Sequence, residues 1–216
     1  MSVAISTRSV SLLLVMLLLS SLAGCVAPEP MLGTTDVTDK PQQAEAPERM
    51  TIVAATAGRS VDGGATMDVV EAANGAPTLL IWVAAGCSGC HDWTEALRTM
   101  RANGTFDANL SVVSVHRYPS FEDTKDVVAR YGTVNSSTEA TWPLLLPDED
   151  AFVVNAANGQ LSTTSLVEAF GNPVTPTLQV LDGNGYLVWE SRTYWANASV
   201  LNEVEGLMHG LLEVDA

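Results

Sequence analysis

A long apolar run that leads directly into two closely spaced cysteines constrains the fold of this chain most strongly. The run covers residues Thr78–Ala85 and follows the turn signal Asn74-Gly-Ala-Pro77. This pattern is typical of a β-strand that is buried on both faces. Beyond the run, apolar side chains recur at helical spacing, at Cys90, Trp93, Leu97 and Met100. We therefore expect a buried strand followed at once by an amphipathic helix.

A second strand and helix follow in the same order. Leu110–Val115 predicts another buried strand. Ser120 is placed to cap a helix, with Asp123 completing a partial capping box. The predicted apolar positions of this helix are Phe121, Val127, Val128 and Tyr131.

The C-terminal part predicts a hairpin and a closing helix. Thr177–Leu181 and Tyr186–Trp189 flank the glycine-containing turn Gly183-Asn-Gly185, as two antiparallel strands would. The last helix has one apolar face, formed by Leu201, Val204, Met208 and Leu211. Strands and helices in this order predict an α/β sandwich around a small mixed β-sheet.

Charge and cysteine content exclude several classes of function. The 216 residues include 10 Lys and Arg against 25 Asp and Glu, for a formal net charge of −15. No basic cluster is available to neutralise phosphates, so we expect no nucleic-acid partner. The three cysteines are too few for a disulfide-rich scaffold. Their placement is more informative than their number.

The first cysteine ends an N-terminal targeting segment. Arg8 precedes the apolar run Val10–Leu22, which is shorter than the roughly 20 residues that span a bilayer. The run ends in Leu22-Ala-Gly-Cys25, which resembles the lipobox of secreted lipoproteins. That resemblance implies cleavage after Gly24 and lipidation of Cys25. The alternative is an uncleaved hydrophobic anchor, and both alternatives place the remaining chain outside the cytoplasm, beside a membrane.

The segment that follows is expected to be a tether. Residues 25–50 contain Pro28, Pro30, Pro41 and Pro47 among polar residues, with almost no apolar periodicity. We therefore predict a signal peptide at 1–24, a lipidated tether at 25–50 and one folded domain at 51–216.

The other two cysteines, in Cys87-Ser-Gly-Cys90, fall at the junction of the predicted strand and helix. Free N–H groups and the positive dipole end of a helix stabilise a thiolate on the first cysteine of such a pair. A thiolate is the species that attacks disulfides. We expect Cys87 to be the nucleophile and Cys90, on the apolar face, to be the resolving thiol.

Three segments together resemble the thioredoxin-like family, in particular the membrane-tethered TlpA/ResA-type thiol–disulfide oxidoreductases. The segments are Asn74–Cys90, Trp142–Pro147 and Phe170–Gly185, the last with the tripeptide Thr175-Pro-Thr177. From about Met50 onward, the resemblance implies a thioredoxin fold, with a small central mixed β-sheet flanked by helices. It also implies that Pro176 is a cis-proline facing the cysteine pair, and that the Thr175 backbone binds substrate.

The same resemblance implies partners and a direction of electron flow. The expected reaction is reductive, on secreted protein disulfides such as those of apocytochromes. Electrons would come from a thiol donor in the membrane. No cofactor and no metal are expected. An oxidase or an isomerase is the alternative within this class.

The chain departs from the family at three positions. Gly86 stands where a bulky residue usually precedes the first cysteine, and Ser88-Gly89 lacks the frequent proline. Ile81 occupies the position of the buried acid of thioredoxins. The proton acceptor for Cys90 is therefore open, with water, His91, Asp92 and Glu95 as the candidates.

Other interpretations use the same residues. Cys87–His91 is also a CxxCH string, the attachment signature of c-type haem. A monohaem electron carrier would use His91 as proximal ligand and Met100, Met208 or another histidine as distal ligand. Otherwise we expect His91 to be a solvated residue.

A zinc site would need His116, His209 and carboxylates, and a static disulfide is a third alternative. Sequons at Asn103, Asn109, Asn135 and Asn197 permit glycosylation in a suitable host.

Overall fold

The central strand of the fold is the apolar run that precedes the cysteine pair. We describe it from a computed structural model, which covers residues 45–214. The strands of this part are β1 (Met50–Thr51), β2 (Val53–Thr56), β3 (Thr66–Asp68), β4 (Thr78–Val83), β5 (Ser111–His116), β6 (Leu144–Leu146), β7 (Phe152–Asn155), β8 (Leu161–Ser165), β9 (Thr177–Leu181) and β10 (Leu187–Ser191). The helices are α1 (Val69–Ala73), α2 (Ser88–Asn103), α3 (Thr124–Tyr131), α4 (Leu166–Ala169) and α5 (Ala198–Val214), with a 3₁₀ turn at Ser60–Asp62.

The main sheet has the strand order β10-β9-β4-β5-β6-β2-β3. Strand β4 runs parallel to β5 and antiparallel to β9, and β5 runs parallel to β6. The sheet is therefore mixed, as the sequence predicts. All six residues of β4 are buried, because the strand lies inside the sheet with apolar layers on both faces.

The two faces of β4 belong to two different cores. Leu79, Ile81 and Val83 pack with the buried side of α2, including Trp93 and Leu97. Leu80 and Trp82 face a second cluster, to which the neighbouring strand β5 contributes two valines and the short elements β1, α1 and α4 contribute one buried residue each. This alternation explains why β4 carries apolar side chains at every position from Leu79 to Val83.

The predicted elements around the cysteine pair are confirmed, with one correction. The strands β4 and β5, the helix α2, the hairpin β9–β10 and the helix α5 all form where the sequence predicts them. The predicted cap at Ser120 is wrong, because α3 begins at Thr124 and the Asp123 side chain accepts its capping bond from the Lys125 N–H. Phe121 precedes the helix and is 86% exposed.

A small second sheet was not predicted. Strands β1, β7 and β8 form it in the order β1-β7-β8. Residues of the segment assigned to the tether belong to the packed part of the chain: Met50 begins β1, Ala46 packs on the second core, and the Arg49 guanidinium donates to the Asn184 carbonyl at 2.8 Å. These contacts extend the packed part of the chain to residues before Thr51.

The predicted signal peptide, Cys25 and the tether as far as residue 44 lie outside the described residues. Within residues 45–214, no helix has the length and apolar character needed to cross a membrane.

Candidate active site

Cys87 and Cys90 form a disulfide at the start of α2. Their Cα atoms are 5.2 Å apart. Cys87 is the N-cap residue of the helix, and its sulfur accepts a hydrogen bond from the Cys90 N–H at 3.1 Å. Cys87 is 9% exposed, whereas Cys90 has no exposed surface. Cys87 is thus the more accessible residue of the pair, and the roles of nucleophile and resolving thiol stay predictions.

The first turns of α2 are attached to the segment that follows β10. The Trp93 indole N–H donates to the Thr193 carbonyl at 2.9 Å. At the adjacent residue of α2, an oxygen of the Asp92 carboxylate accepts the Ala196 N–H at 2.8 Å. The intervening side chains, Tyr194 and Trp195, pack edge to face and are 46% and 59% exposed. Exposed aromatic surface therefore lies beside the cysteine pair.

Gly89 explains why the dipeptide between the cysteines lacks a bulky residue. A Cβ on Gly89 would overlap the Tyr194 carbonyl oxygen and lie 3.1 Å from Pro176 Cδ. The close approach requires a residue without a side chain. It also places Pro176 against the cysteine loop, as the resemblance implies, and the Thr175–Pro176 peptide bond is cis. Pro176 is buried and Thr175 is half-buried; their role in binding substrate stays a prediction.

The segment Ala84–Gly86, which connects β4 to Cys87, is hydrogen-bonded to the side chains of Glu122 and Tyr131. The Glu122 carboxylate accepts the Ala85 N–H at 2.8 Å and the Gly86 N–H at 3.1 Å. The Tyr131 hydroxyl donates to the Ala84 carbonyl at 2.8 Å. Burial, together with the Glu122 charge, raises the pKa of Tyr131 far above its ordinary value, so this hydroxyl stays protonated.

His91 also contacts this segment. Its Nε2 lies 2.9 Å from the Ala85 carbonyl oxygen, and its ring packs against Tyr131 with the centroids 5.8 Å apart. The expectation of a merely solvated histidine is therefore wrong, because the side chain is half-buried and bonded to the loop. In the haem interpretation the same nitrogen would have to leave the Ala85 carbonyl to bind iron.

A buried histidine, His116, lies beside Glu122. His116 ends β5, next to Val83 at the end of β4, so both strands deliver residues to the same edge of the sheet. Its Nε2 is 3.4 Å from a Glu122 carboxylate oxygen, and its side chain has no exposed surface. Neither ring nitrogen makes an aligned hydrogen bond within the described residues. Burial lowers the pKa of His116 and outweighs the opposing effect of Glu122.

The candidate proton acceptors for Cys90 lie in different environments in the structure. Asp92 is bound to the Ala196 N–H, and Glu95 is exposed on α2. Glu122 was missed, because its charge lies in a segment that the sequence assigns to a helix start. His116 was considered only as a zinc ligand. Among residues 45–214, no three His, Cys, Asp or Glu side chains are grouped to hold a metal ion.

Comparison with solved structures identifies the class of fold. The thioredoxin domain of a thiol-disulfide oxidoreductase from Bacteroides vulgatus superposes with a TM-score of 0.50 at 16% identity, covering 76% of this chain and 97% of that chain. A candidate thiol:disulfide interchange protein DsbE from Chlorobium tepidum matches with a TM-score of 0.50 at 15% identity, over 78% of this chain and 97% of that one. The chain has the mixed sheet and flanking helices of a thioredoxin fold.

At these identities the comparison defines the fold and not the reaction. No protein-family model matches the sequence, and no curated protein matches it. The function therefore has to be argued from the site itself.

Proposed function

We propose that this protein is a thiol–disulfide oxidoreductase that cycles Cys87 and Cys90 between a dithiol and a disulfide. The observation that carries the proposal is the Cys87–Cys90 disulfide at the N-terminus of α2, in a thioredoxin fold and beside Pro176. The helix end favours the thiolate form of Cys87. Both solved structures described above are named for thiol–disulfide chemistry, which is consistent with this assignment.

The reaction that fits this geometry has two exchange steps. In the reduced protein the Cys87 thiolate attacks one sulfur of a substrate disulfide, which forms a mixed disulfide and releases the other substrate sulfur as a thiolate. Cys90 then loses its proton and attacks the Cys87 sulfur, which releases the second substrate thiol. Two electrons and two protons pass to the substrate in total, and the Cys87–Cys90 disulfide is formed.

The surroundings of the pair suit a polypeptide substrate. Thr175 is half-buried and precedes Pro176, which lies against the cysteine loop, so its backbone polar groups are proposed to pair with a substrate strand. The exposed Tyr194 and Trp195 side chains offer apolar contact on the side of Gly89. An extended substrate strand with a disulfide can use both kinds of contact.

The proposed direction is reductive. The TlpA/ResA-type resemblance supports it, and that resemblance also suggests secreted protein disulfides, including those of apocytochromes, as substrates. A thiol donor in the membrane would return electrons to the pair. The reduction potential of the pair relative to the donor and the substrate decides this direction.

The exchange reaction can be tested on the full chain from which the predicted signal peptide has been removed. Wild-type protein should reduce a protein disulfide such as that of insulin when a small dithiol supplies electrons. Cys87→Ser should abolish turnover, because it removes the attacking thiolate. Cys90→Ser should instead trap a mixed disulfide between Cys87 and the substrate, which mass spectrometry detects. Trapping at Cys90 in Cys87→Ser, with none at Cys87 in Cys90→Ser, would reverse the assigned roles.

We further propose that the protein is lipid-anchored at Cys25 on the extracytoplasmic face of the membrane. The support is the Leu22-Ala-Gly-Cys25 sequence and the proline-containing segment between it and the folded domain. Cys25→Ser should release the protein from the membrane fraction and leave disulfide exchange at the wild-type rate. A mature wild-type chain that still contains Gly24 would refute processing before Cys25.

A further inference from the structure

One carboxylate is directed at the backbone immediately before the nucleophilic cysteine. Glu122 precedes α3 and lies 36 residues from Gly86 in sequence, yet its two oxygens accept the Ala85 and Gly86 N–H groups separately. A carboxylate that receives one backbone N–H on each oxygen is held in position by both bonds. Its negative charge is therefore fixed one residue from Cys87.

Among residues 45–214, no guanidinium or ammonium group forms an ion pair with this carboxylate. The basic group that lies within 4 Å of it is the His116 imidazole, 3.4 Å away and fully buried. Because burial lowers the pKa of His116, the imidazole is uncharged at neutral pH. Tyr131 from α3 and His91 from α2 are further titratable groups that contact the segment Ala84–Gly86. Tyr131 stays protonated, and His91 faces the Ala85 carbonyl.

We propose that Glu122 is a positioning residue that makes the Cys87–Cys90 pair more reducing, by holding a negative charge against the backbone in front of Cys87. The inference rests on the proposed function, because it concerns the equilibrium of the same pair. It assigns a role to a residue that lies outside both the cysteine motif and the Thr175-Pro176 loop.

The direction in which Glu122 shifts the equilibrium between the dithiol and the disulfide follows from electrostatics. A fixed negative charge disfavours the Cys87 thiolate, and it also binds two N–H groups whose dipoles would otherwise favour negative charge nearby. The disulfide carries no charge and is affected little. Glu122 thus destabilises the reduced form relative to the disulfide, and a pair with a less stable reduced form gives up electrons more readily.

The experiment measures the equilibrium of the pair with glutathione. In this reaction the dithiol protein and glutathione disulfide give the disulfide protein and two molecules of glutathione, so two electrons move to glutathione. Glu122→Gln keeps the shape of the side chain and one acceptor oxygen but removes the charge. We expect its equilibrium constant for oxidation of the protein to fall about three- to tenfold, since one unit charge near a partly exposed thiolate has an effect of this size. A tenfold fall corresponds to about 30 mV.

A second measurement reports the thiolate directly. With Glu122 neutralised, a larger fraction of Cys87 is thiolate, so its alkylation rate at pH 7 should rise by a similar factor. The free energy of unfolding is measured on the same samples. A residue that only held the loop in place would change stability without raising the alkylation rate of Cys87 in proportion to the fall in the equilibrium constant.

Glu205→Gln is the matched control. A Glu205 oxygen accepts the Asp107 N–H at 2.6 Å, so it is also a carboxylate bound to backbone. Glu205 lies on α5 and binds the loop that follows the C-terminal end of α2, whereas Cys87 caps the opposite end of this helix, which is about 24 Å long. We expect the wild-type equilibrium constant within about twofold for this variant.

The outcomes separate the two proposals. A Glu122→Gln equilibrium constant within twofold of wild type, or a shift equal to that of Glu205→Gln, would overturn the role of Glu122 and leave the proposed function intact. A wild-type pair that exchanges with neither glutathione nor a protein disulfide would overturn the proposed function itself. If Glu122→Gln does not fold, Glu122→Ser gives the same test, because water can replace a side chain that is 21% exposed.

Discussion

Asp62 and Glu122 are carboxylates that accept backbone N–H groups and lie beside a basic side chain, but only Asp62 is hydrogen-bonded to that side chain. Asp62 is fully buried and paired with the Arg59 guanidinium at 2.7 Å. It also accepts the Arg59 and Leu144 N–H groups. Glu122 is partly exposed, and the imidazole of His116 beside it makes no aligned hydrogen bond.

The charge balance of the two sites differs in the same way. Burial acts to raise the pKa of Asp62, but the hydrogen bonds from Arg59 and Leu144 outweigh it and the pKa is lowered. At His116 burial prevails and the imidazole is neutral. The Asp62 site is a neutralised ion pair, whereas the Glu122 site keeps a net negative charge. We infer that the first site contributes to stability and the second to the chemistry of Cys87.

The largest expected effect on stability comes from removing the Asp62 carboxylate, which is hydrogen-bonded to Arg59. Asp62→Ala leaves the Arg59 guanidinium without its carboxylate, although it still faces the Ala140 and Trp142 carbonyls. Loss of one partner from a buried ion pair costs about 3–5 kcal/mol. We expect the free energy of unfolding, measured by urea titration, to fall by about this amount.

The cysteine pair should not respond to this change. In the folded fraction of Asp62→Ala, the equilibrium with glutathione should stay within about twofold of wild type. Lys125→Met is the control, because it removes the exposed ion pair with Asp123 and should leave stability nearly unchanged. A large shift in the glutathione equilibrium of Asp62→Ala would show that the two sites are not separate.

A smaller effect is expected from the pH dependence of the Glu122 site. The folded-state pKa of His116 is lowered, so below the unfolded-state value near 6.5 the unfolded chain binds a proton that the folded chain does not. The stability from this group is complete above that pH and decreases as the pH falls. The slope approaches about 1.4 kcal/mol per pH unit for one proton.

Urea titrations between pH 7.5 and 5.5 check this expectation through variants of two histidines. His116→Asn should flatten the decrease in stability toward low pH. His209→Asn is the control, because its side chain is 46% exposed, and it should retain the wild-type slope. If both variants keep the same slope, burial of His116 does not govern the pH dependence of stability.

The difference between the two sites also marks how far the sequence alone can predict this protein. The strand Thr78–Val83 and the helix Ser88–Asn103 follow from local apolar periodicity, so the position of the cysteine pair at their junction is predictable. Thr175 and Pro176 were placed by the family resemblance. The short strands β1, β7 and β8 carry no alternating pattern long enough to identify them.

The side chains around the pair could not be predicted, for a physical reason. Glu122 binds the Ala85 N–H across 37 residues, and Tyr131 binds the Ala84 carbonyl across 47 residues. Such contacts depend on how α3 and the segment before it pack on the sheet, which periodicity does not report. A histidine at the end of a strand parallel to β4 was the one available signal, because the carboxyl ends of parallel strands lie together.

Tyr131 connects the two sites and gives the smallest expected effect. Its carbonyl accepts from the Arg59 guanidinium at 3.3 Å, while its hydroxyl donates to the Ala84 carbonyl in front of the cysteines. Tyr131→Phe keeps the first bond, which belongs to the backbone, and removes the second. The buried Ala84 carbonyl then loses this donor, at a cost of about 1 kcal/mol in the free energy of unfolding.

Tyr131→Phe distinguishes the effect of charge from that of loop rigidity, because it removes a hydrogen bond to the segment Ala84–Gly86 without changing any charge at neutral pH. If charge at Glu122 governs the cysteine pair, Tyr131→Phe should lower stability while the glutathione equilibrium stays within about twofold of wild type. Tyr186→Phe, at a tyrosine that is 40% exposed, controls for loss of a hydroxyl and should change neither quantity. A shift in the glutathione equilibrium of Tyr131→Phe as large as that of Glu122→Gln would mean that loop rigidity, and not charge, sets the potential.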